Sequence, residues 1–126
     1  MAYDPQTTAL LLVDPYNDFL SEGGKLWPCA KAVAEEVELL NHLREVVSTA
    51  RARGLKIVFV PHHRWEPGDY VSFVNPSPYQ IAGANAQIFA KDSRGGTFHD
   101  DFQPRERGVG QAGDFELDLG RQIGNL

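Results

Sequence analysis

Asp14 is the residue best placed for chemistry in this chain, because of what precedes it. Ala9-Leu10-Leu11-Leu12-Val13 reads as a buried strand, and Asp14-Pro15-Tyr16-Asn17-Asp18-Phe19 as the turn beyond it. In open α/β sheets ligands bind outside the carboxyl ends of the strands. A carboxylate there serves as a general acid or base. Asp followed by Pro is also a common turn opening, so a capping role for Asp14 stays open on the pattern alone. Cys29 stands at the head of a long helix, where a thiol pKa can fall; we read it as incidental. His62-His63 and His99-Asp100-Asp101 carry metal-ligand types. Adjacent residues of an extended chain point apart, so polar loop roles are expected for these histidines. Trp27, Trp65, Tyr70 and Phe73 either line a pocket or cap the core; Phe19, Trp65 and Tyr70 are the candidate substrate-binding residues.

The elements that must position these groups begin with a strand over Thr8–Val13. Its unbroken apolar run predicts a central place in a parallel sheet. From Ala30 to Arg53, Val33, Val37, Leu40, Leu43, Val47 and Ala50 form one helical stripe, with Lys31, Glu35, Glu38, His42 and Arg51 mostly off it. Pro28 before it and Gly54 after it punctuate that helix. Leu55–Val60 is a second continuous strand, closed by Pro61, so a right-handed βαβ unit is expected. Residues 62–78 are too broken by proline and glycine for a long element. Tyr79–Ala90 reads as a helix weakened by Gly83, and residues 91–104 as an exposed, Gly-rich loop. Arg105–Leu126 has five glycines and no run of four apolar residues, so no strand is legible there and poor packing is expected.

Composition bounds the function classes. The 126 residues are 42% hydrophobic and 23% charged, as in one ordinary soluble domain. A net charge of −5 speaks against a nucleic-acid surface, which needs a basic stripe. No apolar run approaches a membrane span, and the first residues are not a signal peptide. A single cysteine permits no internal disulfide, so the cytoplasm is the expected compartment.

The stretch VDPYNDFLSEGGKLWP resembles the first active-site segment of the isochorismatase-like cysteine hydrolases, which include the nicotinamidases. The shared positions are Asp14, Asn17, Asp18, Phe19, Gly23 and Gly24, with Tyr16 where the family most often has Gln. The resemblance runs from about Thr7 to about Pro104. It implies a three-layer α/β fold, a parallel sheet with helices on both faces, incomplete at the C-terminus. It divides the chain into residues 1–104, the N-terminal part of that domain, and residues 105–126, a divergent tail.

The resemblance also implies an Asp-Lys-Cys triad that hydrolyses an amide or related bond of a small molecule. Asp14 matches the acid. The family lysine follows the loop that here ends near Pro104, and no lysine lies beyond that point; Lys91 comes too early and reads as a surface charge. Cys29 falls in a loop that varies across the family, not at the nucleophile. The nicotinamidase zinc segment aligns with Arg64-Trp65-Glu66-Pro67-Gly68-Asp69-Tyr70-Val71-Ser72-Phe73. There Arg64, Glu66 and Tyr70 replace the three ligands, so no metal and no other cofactor is expected. The expected partners are a small-molecule substrate and a homo-oligomer or an intact homologue, with no nucleic acid and no membrane. Two further readings are a non-catalytic domain that binds a partner through an open sheet edge, and a metal-dependent hydrolase built on His62, His63 and His99.

Overall fold

The apolar runs become two adjacent parallel strands. The protein is described by a computed structural model over residues 3–106 and 113–117. Strand β1 (Ala9–Val13) pairs in parallel with β2 (Lys56–Val60), with Leu10 opposite Ile57 and Leu12 opposite Phe59. Successive side chains of a strand face opposite ways, so these four share one face. On that face Leu12, Ile57 and Phe59 are buried together with Val47 and Ala50, and Leu10 packs against them. Val47 and Ala50 lie on helix α3 (Leu39–Ala52), which links the two strands and carries the lower part of the sequence stripe. The α/β class and the parallel sheet with its helices are as the sequence implies.

Four features differ from the sequence expectations. The long helix is broken into α2 (Trp27–Glu36) and α3, with Glu38 between them at a left-handed φ of 49°. No glycine or proline marks the break. Glu35, Glu36 and Glu38 cluster there instead, and acidic groups oppose the dipole at a helix C-terminus but favour it at the next N-terminus. The break leaves Val33 and Val37 exposed, while Leu40 and Leu43 still pack on the core.

The second difference concerns β1, which lies at one edge of a three-stranded sheet of order β1-β2-β3 and not at its centre. Leu11 is 56% and Val13 63% exposed, so the second sheet face is open among the described residues. An apolar run shows that a strand forms, but not that both its faces are covered.

The third is β3 (Phe115–Glu116), a two-residue strand parallel to β2 in the tail where none was legible. Polar anchoring explains it. The Asp114 carboxylate accepts from Arg51 Nη2 at 2.6 Å and from the Arg105 backbone N–H at 2.9 Å, and Leu117 N–H donates to the Phe59 carbonyl at 2.9 Å. Arg51 is thus a partly buried anchor on α3 and not a solvated charge. Residues 107–112 and 118–126 of the tail lie outside the described residues.

Residues 91–104 also differ from the exposed loop expected of them. Phe98 and Phe102 are core residues, and Gly96 is buried. The sequence helix over Tyr79–Ala90 appears as α4 (Pro78–Ala86), opened by a capping box between Ser77 and Gln80.

Candidate active site

In the segment after β1, one polar residue borders a cavity and two are bonded into the framework. Asp14 directly follows β1 at its carboxyl end, with its N–H donating to the Val60 carbonyl at 3.0 Å. Its φ is 51°, in the left-handed region that Asp tolerates better than most residues. Asp14 borders an otherwise apolar cavity of about 410 Å³, lined among others by Phe19, Leu20, Ala30, Leu43 and Phe102. Burial raises its carboxyl pKa, against the opposing pull of the His62 imidazole and the His62 backbone N–H.

Asn17 and Asp18 belong to the framework. Helix α1 (Asn17–Leu20) is one turn long, and both polar side chains are buried. Asn17 Nδ2 donates to Thr97 Oγ1 and to the Phe98 carbonyl, each at 3.0 Å, and Ser21 Oγ donates to Asn17 Oδ1 at 2.6 Å. The Asp18 carboxylate accepts from Lys25 N–H at 3.0 Å and from Phe89 N–H at 2.7 Å. Three glycines permit this close fit. A Cβ on Gly24 would overlap the Asn17 and Asp18 carbonyls, one on Gly95 the Asp18 carboxylate, and one on Gly96 the Ala90 carbonyl. Sequence reasoning placed Asn17 and Asp18 in the active-site segment without seeing that they clamp the loop some seventy to eighty residues later.

Tyr16, at the position that is most often Gln in the family, is fully buried. Its hydroxyl donates to the His62 carbonyl at 2.9 Å, and its ring centroid lies 4.9 Å from Phe89 and 5.1 Å from Phe98. Burial pushes the Tyr16 phenol pKa up to about 12, so it stays protonated. The Arg64 guanidinium lies 5.5 Å from the Tyr16 ring centroid while Arg64 Nε donates to the Gly96 carbonyl at 2.7 Å.

The expected site residues fall into two cavities. Phe19 shares the Asp14 cavity. Trp65 and Tyr70 line a second cavity, of about 670 Å³, with His62 and His63, Leu26, Ile88 and Phe89. Trp65 is held there by backbone bonds in both directions, its N–H to the Phe89 carbonyl at 3.1 Å and its carbonyl from Lys91 N–H at 2.9 Å. Cys29 is exposed on α2 and does not line the Asp14 cavity. Lys91 is a surface charge paired with Glu66 at 2.6 Å.

The residues aligned with the zinc ligands do not fit that metal. The Arg64 cation is committed to Gly96 and the two rings, the Glu66 carboxylate to Lys91, and Tyr70 packs edge-on against Phe73 at 5.2 Å. No three His, Cys, Asp or Glu side chains converge as a metal site among the described residues. His99 is partly buried against Phe102, and burial lowers its pKa.

Part of the chain is similar to known proteins. A ureidoacrylate amidohydrolase, RutB, of Methylorubrum extorquens is 32% identical over 86 residues, 68% of this chain and 34% of the relative. Over the stretch they share, this chain is similar to the isochorismatase-like hydrolases. RutB of Serratia proteamaculans is 34% identical over 59 residues, 47% of this chain and 24% of its own length. RutB of Yersinia enterocolitica is 28% identical over 67 residues, 53% and 29% of the two chains. The chain therefore spans about a quarter to a third of the length of these curated relatives. No protein-family model matches it. No helix among the described residues is long and apolar enough to cross a membrane.

Proposed function

We propose that this isochorismatase-like chain derives from a hydrolase of small-molecule amide or related bonds and keeps the acid of that machinery, Asp14. The observation that carries the reading is Asp14 itself, a half-buried carboxyl at the end of β1, bordering an apolar cavity, with its pKa raised by burial. Such a group is suited to take a thiol proton near neutral pH. Phe19 is the apolar wall beside Asp14, and Trp65 and Tyr70 line the neighbouring cavity as ligand-facing aromatics. The domain spans residues 1–104, residues 105–126 are a divergent tail, and the compartment is the cytoplasm.

A nucleophile is the missing part. Cys29 is the single cysteine, and Lys91 is the last lysine; neither borders Asp14. Turnover therefore needs lysine and cysteine from another chain or a longer product. A second reading is favoured by the open sheet face, where Leu11, Val58 and Phe115 stand in register across three strands. In that reading the domain binds a second copy or an intact homologue and does no chemistry.

Hydrolysis of simple amides such as nicotinamide, with and without chelator, tests the proposal. The chain alone is expected to give no detectable turnover, since a positioned base without its nucleophile adds at most about 10²–10⁴-fold to a very slow uncatalysed hydrolysis. Turnover that survives Asp14→Ala but is lost in Cys29→Ser would overturn the assignment of roles. Turnover lost only on adding chelator would favour the histidine-based metal reading instead.

A further inference from the structure

The cavity of about 670 Å³ beside β2 has a chemical character of its own. Trp65, Tyr70, Tyr79, Phe89 and Ile88 give it ring-sized apolar walls, and no Lys, Arg, Asp or Glu lines it. Three of its polar residues, Ser77, Gln80 and His62, are committed elsewhere. Ser77 and Gln80 are tied to each other in the capping box of α4. His62 Nδ1 lies 2.7 Å from the His63 carbonyl, which can only accept, so that nitrogen donates there.

His63 has one ring nitrogen committed. Its Nε2 lies 2.8 Å from Asp69 Oδ2, and Asp69 is held in turn by the Glu66 backbone N–H at 2.7 Å. These contacts with Glu66 and His63 outweigh the effect of burial and lower the Asp69 pKa, so the carboxylate is ionised. Asp69 accepts from His63 Nε2 and so orients the ring; in a neutral imidazole held this way the lone pair lies on Nδ1. That Nδ1 has no hydrogen-bond partner among the described residues. Tyr70, which follows Asp69, lines the same cavity at a φ of 64°. A bulky residue in the left-handed region is an outlier that surrounding structure must hold in place, and such strain concentrates at ligand sites.

We propose that this cavity binds an uncharged, hydroxyl-bearing ring of the phenol type, whose O–H donates to His63 Nδ1. The aromatic walls take the ring, and the Asp69-oriented imidazole reads the hydroxyl. With no Lys or Arg in the lining, carboxylates and phosphates find no permanent cation to pair with there. The inference shares Trp65 and Tyr70 with the hydrolase reading and rests on it only for their facing a ligand; it needs neither Asp14 nor turnover.

Calorimetric titration of the full chain with phenol, anisole and benzoate tests it, with Trp65 fluorescence as a second readout. Phenol is expected to bind saturably, and about tenfold more tightly than anisole, the value of one net hydrogen bond. Benzoate should bind more weakly than phenol. In His63→Phe, a half-exposed site where substitution leaves the core intact, phenol and anisole should become equivalent. Asp14→Asn should bind phenol as the parent does, whatever the amide assay returns. Equal affinity for phenol and anisole in the parent, a phenol preference that persists in His63→Phe, benzoate binding as tightly as phenol, no saturable binding, or loss of binding in Asp14→Asn would each overturn the proposal.

Discussion

Asp18→Ala is expected to destabilise the protein by about 3 kcal/mol, a large share of the roughly 5–15 kcal/mol that separates a domain of this size from its unfolded chain. The Asp18 carboxylate is the common acceptor for Lys25 N–H and the buried Phe89 N–H, and its own backbone bonds to Gly95 and Leu26. Truncation leaves two donors unpaired, and a buried orphan costs about 1–3 kcal/mol. A cavity forms at the same time, because Gly95 lies directly against the carboxylate. Asp18→Asn keeps one acceptor oxygen but turns an NH₂ toward the second donor, so it should lose somewhat less. Urea unfolding monitored by circular dichroism reads both. An Asp18→Ala midpoint equal to the parent's would show that these bonds contribute nothing net.

The second large effect is expected at Gly96. Its Cα hydrogen faces the Ala90 and Phe89 carbonyls, so a methyl group there meets backbone and not a side chain that can rotate away. Ala90 and Phe89 are fixed in turn, the latter by Asp18 and by the aromatic stack with Tyr16 and Phe19. Gly96→Ala should cost about 3 kcal/mol, the upper end of overpacking penalties. Gly83→Ala is the matched control. Gly83 lies inside α4 with open space where a Cβ would go, so that change should stabilise by about 0.5–1 kcal/mol. Equal thermal midpoints for the two variants would contradict the packing described around Gly96.

The sequence made legible what depends on neighbours in the chain. The runs Ala9–Val13 and Lys56–Val60 are strands, and the three-and-four spacing of Leu40, Leu43, Val47 and Ala50 is a helix face on the sheet. Asp14 stands at the strand end where its sequence context puts it. Features that depend on distant partners were not legible. The edge position of β1 reflects which strands exist to flank it, and Leu11 carries no local mark of exposure. The tail strand Phe115–Glu116 has only two residues, below the reach of any periodicity. It forms because Arg51, more than sixty residues earlier, receives Asp114. Asn17 and Asp18 are polar residues beside a candidate acid, which reads locally as a site. Their partners between Lys25 and Phe98 make them a clamp.

The central proposal is a division of labour, with Asp14 assigned to chemistry while Asn17 and Asp18 hold the fold. Thermal unfolding of Asp14→Asn against the parent, across pH, tests it most directly. Burial raises the Asp14 pKa above its ordinary value of 3.8, so within that window the folded chain holds a proton that the unfolded chain has released. Parent stability from this group therefore falls as pH rises through the window, and the full penalty remains at neutral pH. Asp14→Asn removes the charge and keeps a residue tolerant of the left-handed backbone. The partly open cavity screens the charge, so the gain at pH 7 is expected to be about 1 kcal/mol, roughly 3 °C in Tm, shrinking toward zero below about pH 3. A variant less stable than the parent at pH 7 would make Asp14 a structural cap like its neighbours and contradict the account.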